Sequence, residues 1–166
     1  VASRWGPQNV RAAAILLSTL PGCAFLYQGE EIGMADGPGV SPPLDRFGRD
    51  PFRHPMQWQT SPDGGFGSAR PWLPAADPEI LSVEAQRGEP GSLLNLYREL
   101  IALRRGIDGP LSDLRAEGGV VRYRRGRHGI AINAGLDSEP LPSFGSGQRT
   151  VARSVAGAGE SGGLGP

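Results

Sequence analysis

Lysine is absent from these 166 residues: all 17 basic side chains are arginine, set against 17 acidic ones. With a formal charge of zero, neither nucleic acid nor an anionic membrane has an electrostatic claim on the chain. Such neutrality suits a neutral substrate. The all-arginine basic set reads as base-composition bias in the coding sequence and not as a phosphate-binding surface. Cysteine is nearly absent too. Cys23 alone cannot close an internal disulfide, and its apolar neighbours predict a buried thiol in a reducing, cytoplasmic setting. Long hydrophobic runs are also missing. The longest, residues 12–17, falls far short of the roughly 20 residues that a bilayer span needs, and no basic, signal-like start precedes it. An initiator Met is lacking, and Val1 runs straight into structured-looking sequence, which reads as truncation. The chain can bury a core of ordinary size but is too short for a complete eight-stranded β/α barrel, typically about 250 residues.

What is present divides into four parts. Residues 7–20 carry a helical pattern, with Pro7 in the first turn and Val10, Ala13, Ala14, Leu17 and Leu20 at three- and four-residue spacing, before Pro21-Gly22 stops it. The run Cys23-Ala24-Phe25-Leu26-Tyr27 then reads as a short buried strand of a parallel sheet. Helix, turn and strand make one step of an α/β fold, whose functional loop follows the strand. Residues 35–77 are rich in Gly and Pro yet hold Phe47, Phe52, Met56, Trp58, Phe66 and Trp72. Loops this long are uncommon in compact domains and usually serve as binding loops or lids. A second amphipathic helix is predicted over 92–105, with Ser92 as N-cap, a Leu93/Leu96/Tyr97/Leu100/Leu103 stripe and Gly106 past its end. Short strands follow at 120–125 and 130–134 around a Gly126-Arg127 turn, with a weaker run at 148–152. The Gly-rich tail, 157–166, carries no core residues and is expected to be disordered.

Several chemistry-bearing residues have duller readings. Glu30 and Glu31, as neighbours on a strand, would face opposite sides and could not flank one bond as acid and nucleophile. Structural hydrogen bonding suits them better. His54 and His128 are far apart and lack the company of a zinc site. Asp36, Asp45 and Asp50 lack the alternating spacing of a calcium loop and read as solvated carboxylates. Gly37, Gly39 and Gly48 form no phosphate cradle, and no serine sits on a nucleophile elbow. No complete catalytic constellation is present. The aromatic loop with Arg49, Asp50 and Arg53 is different in kind, because sugars are held by stacking on flat apolar faces and by bidentate bonds from Arg and Asp to vicinal hydroxyls. A loop packing its own small core is the competing reading.

Taken in order, Leu20-Pro21-Gly22, the run from Phe25 to Met34, the run Gly48-Arg49-Asp50-Pro51-Phe52-Arg53-His54-Pro55-Met56-Gln57-Trp58, Gly65-Phe66, Pro71-Trp72-Leu73-Pro74 and Leu96-Tyr97-Arg98-Glu99-Leu100-Ile101 resemble the C-terminal part of an α-amylase-family glycoside hydrolase, nearest the α-glucosidase and oligo-1,6-glucosidase branch. The likeness spans roughly residues 1–134. It implies an α/β fold: residues 1–106 as the C-terminal part of a (β/α)8 TIM barrel with the long loop after the eighth strand, residues 107–156 as a small, incomplete antiparallel β-sandwich, and 157–166 as tail. Residues 23–28 would be the eighth barrel strand and 92–105 the eighth helix. Two positions depart from the family pattern: Gly22-Cys23-Ala24 stands where Gly-Thr-Pro is usual, and His54 where Thr is commoner.

The family's Asp nucleophile, Glu acid/base and third Asp all belong upstream of Val1, the last in an Asn-His-Asp motif just before Ser3-Arg4-Trp5. The resemblance therefore implies a fragment of a retaining α-glucosidase that releases terminal α-linked glucose from oligosaccharides, the fragment itself carrying no catalytic acid and being inactive alone. No metal or other cofactor is implied. Arg49, Asp50 and Arg53 would bind substrate by organising the loop at the pocket rim; Gln28, Glu30, Glu31 and Trp58 would support the pocket. Its partners would be an oligosaccharide and the missing N-terminal part of its own barrel, whose absence would leave exposed edges and a loosely packed state. Two alternatives remain: a noncatalytic sugar-binding or structural relative, and a trehalose synthase-like isomerase or transferase.

Overall fold

A computed structural model describes residues 1–67, 72–135, 142 and 144. A short helix α1 (Ala2–Trp5) and a 3-10 turn at Pro7–Asn9 lead into α2 (Val10–Thr19). The helix predicted over 7–20 is thus a proline-started turn followed by a ten-residue helix. Its alanines decide the packing. Ala12, Ala13 and Ala14 are all buried, and small side chains let neighbours approach α2 closely from two sides. Ala14 meets Leu93, Leu96, Tyr97 and Leu100 of α4 (Leu93–Arg104). Ala12 meets Tyr123, Ile130 and Ile132 of the sheet.

Helix α4 forms as its stripe predicts, and the Ser92 hydroxyl accepts from the Asn95 N–H at 3.2 Å, satisfying one free donor of the first turn. A five-residue helix α3 (Val83–Arg87), capped in the same way by Ser82, has no counterpart among the sequence expectations. The sheet is antiparallel in the order β1 (Leu111–Glu117), β2 (Val120–Arg125), β3 (His128–Asn133). Strands β2 and β3 fall where expected, with Val121 opposite Ile132 and Tyr123 opposite Ile130. Strand β1 is an addition, irregular between Ser112 and Arg115, where Asp113 takes a positive φ. The run at 148–152 and the tail at 157–166 lie outside the described residues.

Residues 23–27 depart from expectation. They are not a strand: no described segment pairs with them, Phe25 is 81% exposed, and Cys23 is exposed rather than buried. A strand of a parallel sheet owes its burial to the strands and helices flanking it. Of the described elements, α4 meets Leu26 and Tyr27 along one groove, through Leu94, Tyr97, Arg98 and Ile101, but leaves Leu26 41% and Tyr27 58% exposed.

Arg104, in the last turn of α4, donates to the carbonyls of Ser18 at 2.6 Å and Leu20 at 2.9 Å, and also to that of Gly22. Arg125 of β2 donates to Thr19 O at 2.9 Å. Two cations thus satisfy the open carbonyl end of α2 and fix where residues 23–28 depart. Replacing Arg104 with Ala is expected to destabilise the chain by about 1.5–3 kcal/mol, the range for hydrogen bonds from charged donors. Urea denaturation gives the measurement, and a loss below about 0.5 kcal/mol would mean that water replaces the clamp.

Candidate functional site

After the exposed segment the chain turns at Gly29-Glu30-Glu31-Ile32-Gly33. Gly29 and Gly33 hold positive φ on either side of a 3-10 turn at Glu30–Ile32, and a Cβ at Gly29 would stand 2.6 Å from Met34 Sδ. Only glycine fits there. The two glutamates therefore sit on a turn and not on a strand. Glu31 Oε2 accepts from the Gly29 N–H at 2.8 Å, a structural bond. Glu30 Oε1 is 3.9 Å from the Val1 amino group, and its Oε2 is buried with no partner among the described residues. Burial, then the charges of Glu30 and Glu31, push the Tyr97 phenol up to about 12. Ile32, fully buried against Met56 and Val83, anchors this turn to the long loop.

Asp45 is the hub of that loop. Its carboxylate accepts from Phe47 N at 2.8 Å, Arg49 Nη2 at 2.8 Å, Arg49 Nε at 3.1 Å and Arg53 Nη1 at 2.7 Å. The hydrogen bond from Arg49 holds the Asp45 carboxyl down at about 2, with the Phe47 N–H and the two guanidinium charges acting in the same direction and burial opposing them. The expectation of solvated carboxylates fails here, because both Asp45 and Asp50 are buried. Asp50, 1% exposed, accepts from Leu44 N at 2.8 Å and Asp45 N at 3.0 Å, and so shapes the backbone that presents Asp45. Arg49 and Arg53 remain about half exposed. Each guanidinium carries five N–H donors, so both keep donors for a ligand. Phe47 lies under the guanidinium of Arg49, 5.0 Å from ring centroid to Cζ, and further fixes its plane.

Beside this cluster opens a cavity of about 390 Å³ lined by Gln28, Arg53, Trp58, Phe66 and Trp72, with Pro55 and Met56. Of the residues expected to bind or support a substrate, Gln28, Arg53 and Trp58 converge on it. Arg49 shares the Asp45 carboxylate with Arg53, and Asp50 supports that carboxylate from below. Glu31 lines a smaller, mainly apolar groove of about 170 Å³ with Tyr27, Tyr97 and Arg98, while Glu30 lines neither.

Two contributors escape the sequence expectations, Asp45 as a hub and Gln57, while Phe66 and Trp72, singled out there only as members of the aromatic loop, are placed by the fold at the cavity. The side chain of Gln57 is fully buried, donates to Leu81 O at 2.5 Å and accepts from Ala76 N at 2.6 Å, which fixes the backbone beside Trp58. The spacing of Asp45 to Arg49 and Arg53, four and eight residues, was the available signal for the hub. His54 has Nδ1 2.8 Å from Pro74 O and Nε2 3.0 Å from Pro38 O, tying both ends of the loop together. Among the described residues no group of three or more His, Cys, Asp or Glu is placed to hold a metal ion. No described helix is long and apolar enough to cross a membrane.

Comparison with known proteins supplies the class. The α-amylase catalytic domain matches residues 1–108, and the chain belongs to that family. Maltase A1 of Drosophila melanogaster is 35% identical over 164 residues, covering 85% of this chain and 28% of its own length. The amino acid transporter heavy chain SLC3A1 of Rattus norvegicus is 39% identical over 105 residues, covering 61% of this chain and 15% of its own length. Among solved structures, the alpha-glucosyl transfer enzyme XgtA superposes with a TM-score of 0.70 at 30% identity, over 82% of this chain and 30% of that one. The chain spans roughly a quarter of the length of the curated relatives it matches.

Proposed function

We propose that this chain is the C-terminal part of a retaining α-glucosidase that acts on terminal α-linked glucose. One observation carries the reading: a buried Asp45 holds two half-exposed guanidiniums beside an aromatic-lined cavity, within the residues matched by the α-amylase family. Arg49 and Arg53 donate in fixed directions to vicinal hydroxyls of the glucose ring, and a low-pKa carboxylate keeps both in place without itself needing to touch the sugar. Asp50, Gln28, Glu30, Glu31 and Trp58 support the rim.

In this reading residues 23–28 are the last strand of a (β/α)8 barrel and α4 its last helix, and the exposed Phe25, Leu26 and Tyr27 are covered by the preceding part of the same barrel. The three strands begin a C-terminal β-domain. The acids of a retaining mechanism, one forming the glucosyl-enzyme bond and one protonating the leaving oxygen and then activating water, are supplied upstream. A cytoplasmic setting suits the lone exposed thiol. Hydrolysis of an α-glucoside by the complete polypeptide, followed by NMR, is expected to release α-glucose first; β-glucose first would exclude retention. Arg49→Ala in that polypeptide should lower kcat/KM by about tenfold or more with little change in stability. Equal losses in both would make Arg49 merely structural.

Two observations favour variants of this reading. The similarity to a glucosyl transfer enzyme favours transfer to a sugar acceptor in place of water. A relative named as a transporter heavy chain favours a structural or partner-binding role for the same fold. Product analysis separates the first from hydrolysis, and the presence or absence of the upstream acids separates the second.

A further inference from the structure

We infer that His54 is a proton-dependent staple of the long loop: its imidazolium donates to the carbonyls of Pro38 and Pro74 at once, and loss of the proton frees one of the two arms, so that pH sets how firmly the loop holds its side chains at the cavity. The staple stands apart from the proposed activity. Only its consequence for substrate rests on the glycosidase reading above.

His54 is buried, 6% exposed, and each of its ring nitrogens faces a backbone carbonyl oxygen: Nδ1 at 2.8 Å from Pro74 O and Nε2 at 3.0 Å from Pro38 O. A carbonyl can only accept. The neutral imidazole has one N–H, so it can satisfy one of these contacts and must point the lone pair of its other nitrogen at an oxygen; the imidazolium donates to both. Two acceptors set against each other in a buried place cost free energy, and protonation removes that conflict. The ring cannot simply turn aside. Gly37 lies flat against it, so closely that a Cβ there would run into Nε2, Cε1 and Cδ2. Threonine, the commoner residue at this position in the family that the sequence resembles, has a single hydroxyl donor and cannot bridge two carbonyls.

The two arms that His54 joins carry the cavity. On its own stretch Arg53, Pro55 and Met56 line that space, and Trp72 lines it just before Pro74. Each arm also has a reporter of its own: Gly37 N donates to Pro51 O at 2.9 Å beside Pro38, and Ala76 N donates to Gln57 Oε1 at 2.6 Å beyond Pro74. The charged side chains on the segments around the ring are Asp36, Asp45, Asp50, Arg53 and Asp77. Asp45 and Arg53 are paired with each other at 2.7 Å, and Asp50 accepts from Leu44 N and Asp45 N. Among the described residues the two carbonyls are the hydrogen-bond partners of the ring. The staple therefore contributes order in acid and loses it as pH rises, the opposite sense to the Asp45 carboxylate.

The chain has two histidines, His54 and His128, so proton–nitrogen correlation spectra of its imidazoles contain two ring systems, told apart by His128→Asn. At about pH 5 both His54 nitrogens are expected to carry protons, and one proton should be lost between about pH 5 and pH 8. Over the same step the hydrogen-exchange protection factor of the Gly37 or the Ala76 amide should fall by about fivefold or more, the effect of one lost hydrogen bond. His54→Gln and His54→Thr should abolish that step while His128→Asn keeps it, with far-UV circular dichroism checking that the helices persist. A His54 ring holding one proton, or two, throughout the range would overturn the staple. So would an exchange step that follows His128 or survives both His54 variants. In the complete polypeptide KM for an α-glucoside should rise by about threefold or more across the step and stay level in His54→Gln. A working hydrolase whose KM ignores the step would overturn the link from staple to substrate and keep the glycosidase reading. A polypeptide that hydrolyses no α-glucoside would end that reading, while the imidazole spectra still decide the staple.

Discussion

On the proposed α-glucosidase function, Asp45→Asn is expected to reduce sugar binding at the loop by about tenfold or more, because one substitution removes the negative charge that positions both guanidiniums. The amide is nearly isosteric, so the loss reports charge and acceptor geometry rather than a cavity. The effect should also appear as a pH dependence. In the folded chain the Asp45 carboxyl lies at about 2, below its ordinary value of 3.8, chiefly through the hydrogen bond from Arg49. A depressed carboxylate contributes order that is fully present above its unfolded value and is lost as pH falls through the folded one. The loop of the wild-type chain should therefore loosen between about pH 4 and pH 2, followed by hydrogen exchange at Phe47 N or by emission from Trp58. The Asn variant should lack that step. An unchanged acid profile in Asp45→Asn would remove Asp45 from the centre of the loop.

Tyr123→Ala should cost about 3–5 kcal/mol, as expected for deletion of a large buried ring. Tyr123 is 1% exposed and lies between α2 and the sheet, where its hydroxyl is 2.5 Å from Thr19 Oγ1. Tyr123→Phe is the informative companion, with an expected cost of only about 1 kcal/mol, since Thr19 Oγ1 keeps its bond to Ile15 O at 2.6 Å. A large loss for Ala with a small one for Phe, at unchanged denaturant slope, makes the ring the latch that docks the sheet on α2. Losses of similar size would shift the weight to the hydroxyl pair. A loss below about 1 kcal/mol for Ala would mean that the sheet is held elsewhere.

The elements legible in the sequence were those whose own residues carry the packing. The leucine stripe of α4 and its Ser92 cap are local facts, and so is the apolar alternation of β2 and β3 around Gly126. Strand β1 left no signal because six of its seven residues are exposed and no alternation marks it. The run at 23–27 misled for the opposite reason: its apolar residues specify burial, but among the described residues α4 covers Leu26 and Tyr27 only in part and Phe25 stays 81% exposed. At the site, residue types were legible while roles were not. Sequence singles out Arg49, Asp50 and Arg53 as one group, yet only the folded loop separates the buried Asp45 that holds both arginines from the buried Asp50 that holds the backbone. The aromatics were conspicuous as a set, but which of them line a single cavity depends on Gln57 and Leu73 turning inward beside Trp58 and Trp72.

The most direct test of the proposed α-glucosidase is to translate, in frame, the genomic sequence immediately 5′ of the Val1 codon. The expected result is an Asn-His-Asp motif within a few residues of Val1, with an Asp and a Glu at the ends of earlier strand-like segments to serve as nucleophile and acid/base. A closed frame, or an open one lacking those acids, would contradict the assignment and leave the chain as a noncatalytic member of its family.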